Sequence, residues 1–121
     1  MTKSTFDYCP ELVEQEGAVT RINFDVESVE QSVPAMSDDD EPSVRTVYMA
    51  HVVRVEQPVT RSKIISAIVD YGYPRDSMDA CVNNYLNQPD DEVRKAEFTA
   101  MQQWRTHAKE VADQVMGQTV G

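Results

Sequence analysis

Carboxylates are the most abundant reactive groups in this chain, with 21 Asp and Glu against 11 Lys and Arg in 121 residues. Hydrolysis by a carboxylate pair needs two acids held a few ångströms apart in a cleft. Asp70 and Asp79 flank the Gly72-Tyr73-Pro74 turn and are the best placed pair. Helix capping and solvation explain both more simply, so a small hydrolase is the weakest reading. Asp38, Asp39, Asp40 and Glu41 form an acidic run. It lacks the alternating oxygen ligands and distal Glu of a calcium loop. His51 and His107 fall on different elements with no accompanying ligand motif, and His51 reads as a packed or rim histidine. The four glycines form no phosphate-cradling loop. These residues predict no catalytic centre, no metal and no cofactor.

The two cysteines, Cys9 and Cys81, are not a CxxC pair. With no secretory signal in the first residues, they read as free thiols in a reducing cytosol rather than as a disulfide. The apolar runs are too short to span a bilayer. The net charge of −10 argues against a broad phosphate contact, so no direct nucleic-acid binding is expected. It also disfavours an anionic membrane surface. It permits a basic protein partner. Residues 1–60 carry 4 basic and 12 acidic side chains, and residues 61–121 carry 7 and 9. The acidity therefore belongs to the N-terminal half.

Aromatic residues make better site candidates than the acids do. Tyr71, Tyr73 and Tyr85 cluster around two helices, and Trp104 lies on a third. Core packing is one reading. The other is a partner contact, because Tyr and Trp are enriched at binding hot spots. The candidate partner-binding residues are Tyr73, Trp104 and Val111, with Asp38, Asp39, Asp40 and Glu41 as an acidic arm.

The elements that position these residues follow from periodicity. Residues 4–9 alternate as a short strand, and residues 11–17 read as a polar connection ending in Gly17. Residues 18–30 alternate with Ile22, Phe24 and Val26 on one face, a half-buried strand. Residues 31–44 hold two prolines and the DDDE run, and read as a long loop. Residues 45–56 form the strongest strand, apolar on both faces and therefore central.

At Pro58 the period changes to 3.6. Thr60 is a good N-cap, and Ile64, Ile65 and Ile68 face inward on a helix over 61–71 with Gly72 as its C-cap. Asp76 or Ser77 caps a second helix, whose inward face is Met78, Cys81, Val82, Tyr85 and Leu86. Cys81 there is a small core hydrophobe. The third helix opens on Asp90, Asp91 and Glu92, and Gly117 closes it. Its stripe is Phe98, Met101, Trp104, Ala108, Val111, Ala112 and Val115. The prediction is one α+β domain over 1–121: a three-stranded antiparallel sheet in 1–59, then three helices in 60–117 packed on one face. A stripe this long on a small sheet predicts a surplus, and hence self-association or a partner site on the 98–116 helix.

The segment from Thr60 onward resembles a family of small uncharacterised proteins of phages and prophages from gut bacteria. The shared features are the TRSKII helix start, the NNYL helix end and FTAMQQWRTHAK in the last helix. They cover about half of the chain. They are caps and core positions, and they carry no catalytic residues. The resemblance implies a non-enzymatic accessory protein in a bacterial host's cytoplasm, acting by protein interaction in virion or tail assembly. The acidic front half offers a second reading, an inhibitor of a nucleic-acid-binding host protein.

Overall fold

The computed structural model describes residues 1–34, 41 and 43–120. Four strands are formed: β1 (Ser4–Phe6), β2 (Val13–Glu16), β3 (Val19–Val33) and β4 (Ser43–Glu56). They make one antiparallel sheet in the order β1-β4-β3-β2. Three helices follow: α1 (Arg61–Gly72), α2 (Arg75–Asn87) and α3 (Glu92–Val120). The α+β class and the segregation of helices after strands agree with the sequence. The strand count does not.

The extra strand is β2, within the stretch expected to be a polar connection. It forms a hairpin with β3 through Gly17 and Ala18, and Glu16 pairs with Val19. Gly17 has φ +64°, the position where a two-residue hairpin loop favours glycine. The polarity of VEQE hides the strand because its carboxylates have partners on the sheet itself. Arg21 forms ion pairs with Glu14 and with Glu16, the latter at 2.6 Å, and Arg54 Nε donates to Glu16 at 2.9 Å. This is the face turned away from the helices. Tyr8 donates to the same Glu14, and the Arg21 guanidinium lies 5.6 Å from the Phe6 ring centre.

The other face builds the core. Ile22 pairs with Val53, Thr20 with Val55 and Phe24 with His51. Upon them pack Ile64 and Ile68 from α1, and Ala108, Val111, Ala112 and Val115 from α3. Met101 is likewise fully buried. Thr60 caps α1 by accepting from the Lys63 amide at 3.2 Å, as expected. Asp91 caps α3, accepting from the amides of Val93 and Arg94.

Several local expectations need correction. Gly72 is the last residue of α1, and the cap is Tyr73 with φ −135°. Gly117 lies inside α3, which continues to Val120. α2 starts at Arg75 after Pro74, with no side-chain cap. None of its residues is fully buried, and Leu86 is 67% exposed. The physical reason is placement: α2 packs on the first half of α3, outside the layer that covers the sheet. There Tyr85 stacks on Phe98 with ring centres 4.4 Å apart.

Residues 31–33 and 43–44, expected to be loop, extend β3 and β4. The rest of the acidic segment, apart from Pro34 and Glu41, lies outside the described residues, and Asp38, Asp39 and Asp40 are among it. Val26 leaves the Ile22/Phe24 face because the ladder is bulged between Phe24 and Glu27. An extra residue in one strand inverts the alternation beyond it.

Candidate functional site

The bulge opens a part of the molecule that no periodicity in the sequence marks. β2 borders β3 only along Val19–Ile22, and β1 borders β4 only along Tyr48–Ala50. Beyond the bulge, Glu27–Val33 pairs with Ser43–Met49, and past Tyr48 the two strands pair only with each other among the described residues. Most of these residues are exposed, with Val47 the last buried one on β4. They form a two-stranded arm that runs on past the helical layer. Its charged side chains are Glu27, Glu30 and Arg45, and Glu41 stands exposed just before β4. Lys3 lies 3.6 Å from Glu27, and Arg45 donates to Gln31. The acidic run continues the same charge in the sequence that joins the two strands.

At the root of the arm sits a cluster of aromatic rings. Asp25, in the bulge, has φ +55°, a conformation that Asp tolerates better than most residues. Its carboxylate faces Nε2 of His107 on α3 at 2.8 and 2.9 Å. Phe24 packs against His51, Tyr71, Trp104 and His107, with ring centres 5.2–6.3 Å apart. Tyr71 donates its hydroxyl to the Thr2 carbonyl at 2.8 Å and lies 2.9 Å from His51 Nδ1. The single hydroxyl proton is thus committed to Thr2, so Nδ1 of His51 is the donor to Tyr71. Burial pushes the His51 imidazole pKa down, although Asp25 pulls it up; it also pushes the Tyr71 phenol up. Trp104 donates its indole N–H to the Ile68 carbonyl at 2.9 Å.

The two histidines that the sequence keeps apart therefore share Phe24 and Trp104 as neighbours. Their arrangement suits a clasp. Both nitrogens of His107 face acids, with Glu110 lying 3.7 Å from Nδ1. His51 is bound through Nδ1 and is 8% exposed. A general base needs reach to a substrate proton, and neither ring lines either of the cavities formed by α1 and its neighbours. What the cluster does physically is tie the bulge to α3, and β4 through α1 to the N-terminus.

Other sequence candidates resolve differently. Val111 is 2% exposed within the core, so it offers no partner surface. Within the stripe of α3, Met101, Ala108, Val111, Ala112 and Val115 are also buried, while Phe98 and Trp104 are half-buried. The surplus is smaller than expected, because the sheet and α1 take the second half of the stripe and α2 packs on its first turns. Trp104 is half-buried against the core, and Tyr73 is half-buried at the end of α1. Asp70 and Asp79 are exposed on separate helices with no hydrogen bond between them. Cys9 and Cys81 are free thiols. Among the described residues no three metal-ligating side chains converge. No helix among them is long and apolar enough to cross a membrane. No family model, curated protein or solved structure matches the chain.

Proposed function

We propose that this protein is a non-enzymatic interaction module that holds its β3–β4 arm out to a basic protein partner. The observation that carries this reading is the arm itself. Past Val47 its residues are exposed or half-buried, and a two-stranded ribbon of that kind is marginal in water. Here it is prolonged well beyond the strand length the core uses. Past Tyr48 its outer backbone edges are unpaired among the described residues, and such edges are templates for added strands. Its charge, with the acidic run, suits a cationic surface and gives fast, salt-dependent encounter.

The likeness of the C-terminal half to phage and prophage proteins supports a setting in virion or tail assembly inside a bacterial host. The acidic run supports a second reading, in which the basic partner is a nucleic-acid-binding protein that the arm inhibits. Capture from host extract on the immobilised chain tests the first point. The parent chain retains a protein at low salt. A variant with Glu30→Lys, Asp38→Lys, Asp40→Lys and Glu41→Lys loses it. Equal capture by both variants removes the arm from the interface. Release of the captured protein by duplex DNA selects the inhibitor reading.

A further inference from the structure

We propose that a second site, the cleft between α1, α2 and α3, binds a small carboxylate bearing an apolar tail. The cleft has a volume of about 270 Å³, at the small end of ligand pockets. Ile65 and Val69 of α1 and Met78 of α2 give it an apolar lining, and all three are half-buried. Arg105 and Lys109 of α3 close one side. They stand one helical turn apart, so both project from the same flank of α3. The core stripe of α3 runs through Trp104 and Ala108, which places these two cations just outside it.

Neither cation forms an ion pair or hydrogen bond with any described residue. Arg75 and Lys95 are likewise unpaired among the described residues, but neither lines the cleft. Arg21, Arg54, Arg61 and Arg94 all pair with carboxylates. The neighbouring cavity, of about 400 Å³, contrasts directly: its Arg54 is paired with Glu16, and its Lys63 with the Pro58 carbonyl. Two unpaired like charges at this spacing repel, and a bound anion relieves that repulsion.

Asp70 on α1 also lines the cleft, leaving one net positive charge among its lining residues. That balance selects a monoanion over a phosphate dianion. The planar guanidinium of Arg105 suits a carboxylate in two-point contact. The apolar lining then takes the tail. The concentration of acids in residues 1–60 does not forbid this, because charges more than about 10 Å away are largely screened at ordinary ionic strength.

Titration of the isotope-labelled full chain with hexanoate, followed by amide NMR, tests the site. Saturable shifts are expected at residues 65–70, 78 and 105–109. Hexanol and inorganic phosphate at equal concentration give no such saturation. The double variant Arg105→Gln, Lys109→Gln weakens hexanoate binding by about tenfold or more, as loss of charge-assisted hydrogen bonds implies. Both positions are exposed, so its amide spectrum stays dispersed. Asp70→Asn tightens binding. Hexanol or phosphate binding as well as hexanoate, or a double variant that binds unchanged, overturns the proposal.

Discussion

The indole of Trp104 lies directly over the α-carbon of Gly72. A Cβ built at Gly72 would overlap the indole Nε1 and stand 2.5 Å from Cε2, with Met1 Sδ at 2.9 Å. The glycine is there to let α3 approach the end of α1. The indole N–H then reaches the Ile68 carbonyl one turn earlier.

Gly72→Ala is therefore expected to destabilise the fold. In an open helix the same change gains about 1 kcal/mol. Here the displaced indole turns the sign, at a loss of about 1–3 kcal/mol. Denaturant unfolding reads the difference. Pairing it with Trp104→Leu should make the alanine tolerable, a non-additivity that locates the clash.

Ile68→Ala removes a side chain with no exposed surface from the centre of the core. A loss of about 2–5 kcal/mol is expected in the same assay. An unchanged midpoint would mean that α1 does not pack on the sheet.

Val111→Glu places a carboxylate between α3 and the sheet. The expected result is unfolding, since a buried unpaired charge has no compensating partner. Sedimentation of a folded, soluble Val111→Glu protein would show that this face of α3 is open.

Asp25 tests the bulge. Asp25→Asn keeps a side chain that tolerates positive φ and loses only the charge facing His107, which is a small effect. Asp25→Val forces a β-branched residue into the left-handed region and is expected to lose about 1–3 kcal/mol. Comparable midpoints for the two variants would show that the bulge backbone relaxes.

The pH dependence follows from His51. Its folded pKa is lowered from 6.5, chiefly by burial, with Lys3, the N-terminus and His107 acting in the same direction and Asp25 against them. Below the unfolded value the unfolded chain binds the proton more readily, so stability is fullest above about pH 6.5 and falls as the pH drops towards the folded value. His51→Gln flattens that slope. A parent chain more stable at pH 5 than at pH 8, with the slope removed by His51→Gln, would reverse the assignment.

α1 and α3 were legible because each buries a stripe: Ile64 and Ile68, then Met101, Ala108, Val111 and Val115, all recur at helical spacing. Thr60 and Asp91 announced their helix starts. What escaped was set by contacts between distant residues. β2 looks polar until Arg21 and Arg54 stand beside it. Gly72 and Gly117 resemble helix ends, yet one is a packing gap and the other an interior residue. Leu86 completes an apolar pattern on a helix that has no sheet beneath it. The meeting of His51 and His107 around Phe24 depends on how β3, β4, α1 and α3 converge, which no local spacing encodes.

The bulge at Asp25 also governs how this molecule can change. Side chains alternate along the arm, so residues added or removed in pairs near its tip leave Val29 and Val47 on the side of the core. If the bulge were ironed out with its extra residue kept, the whole of that β3 segment would turn over, carrying Val29 and Val33 to the opposite side and bringing Ser28 and Glu30 in their place. The arm's reach is thus free to drift in steps of two, while the identity of its two sides rests on one strained aspartate.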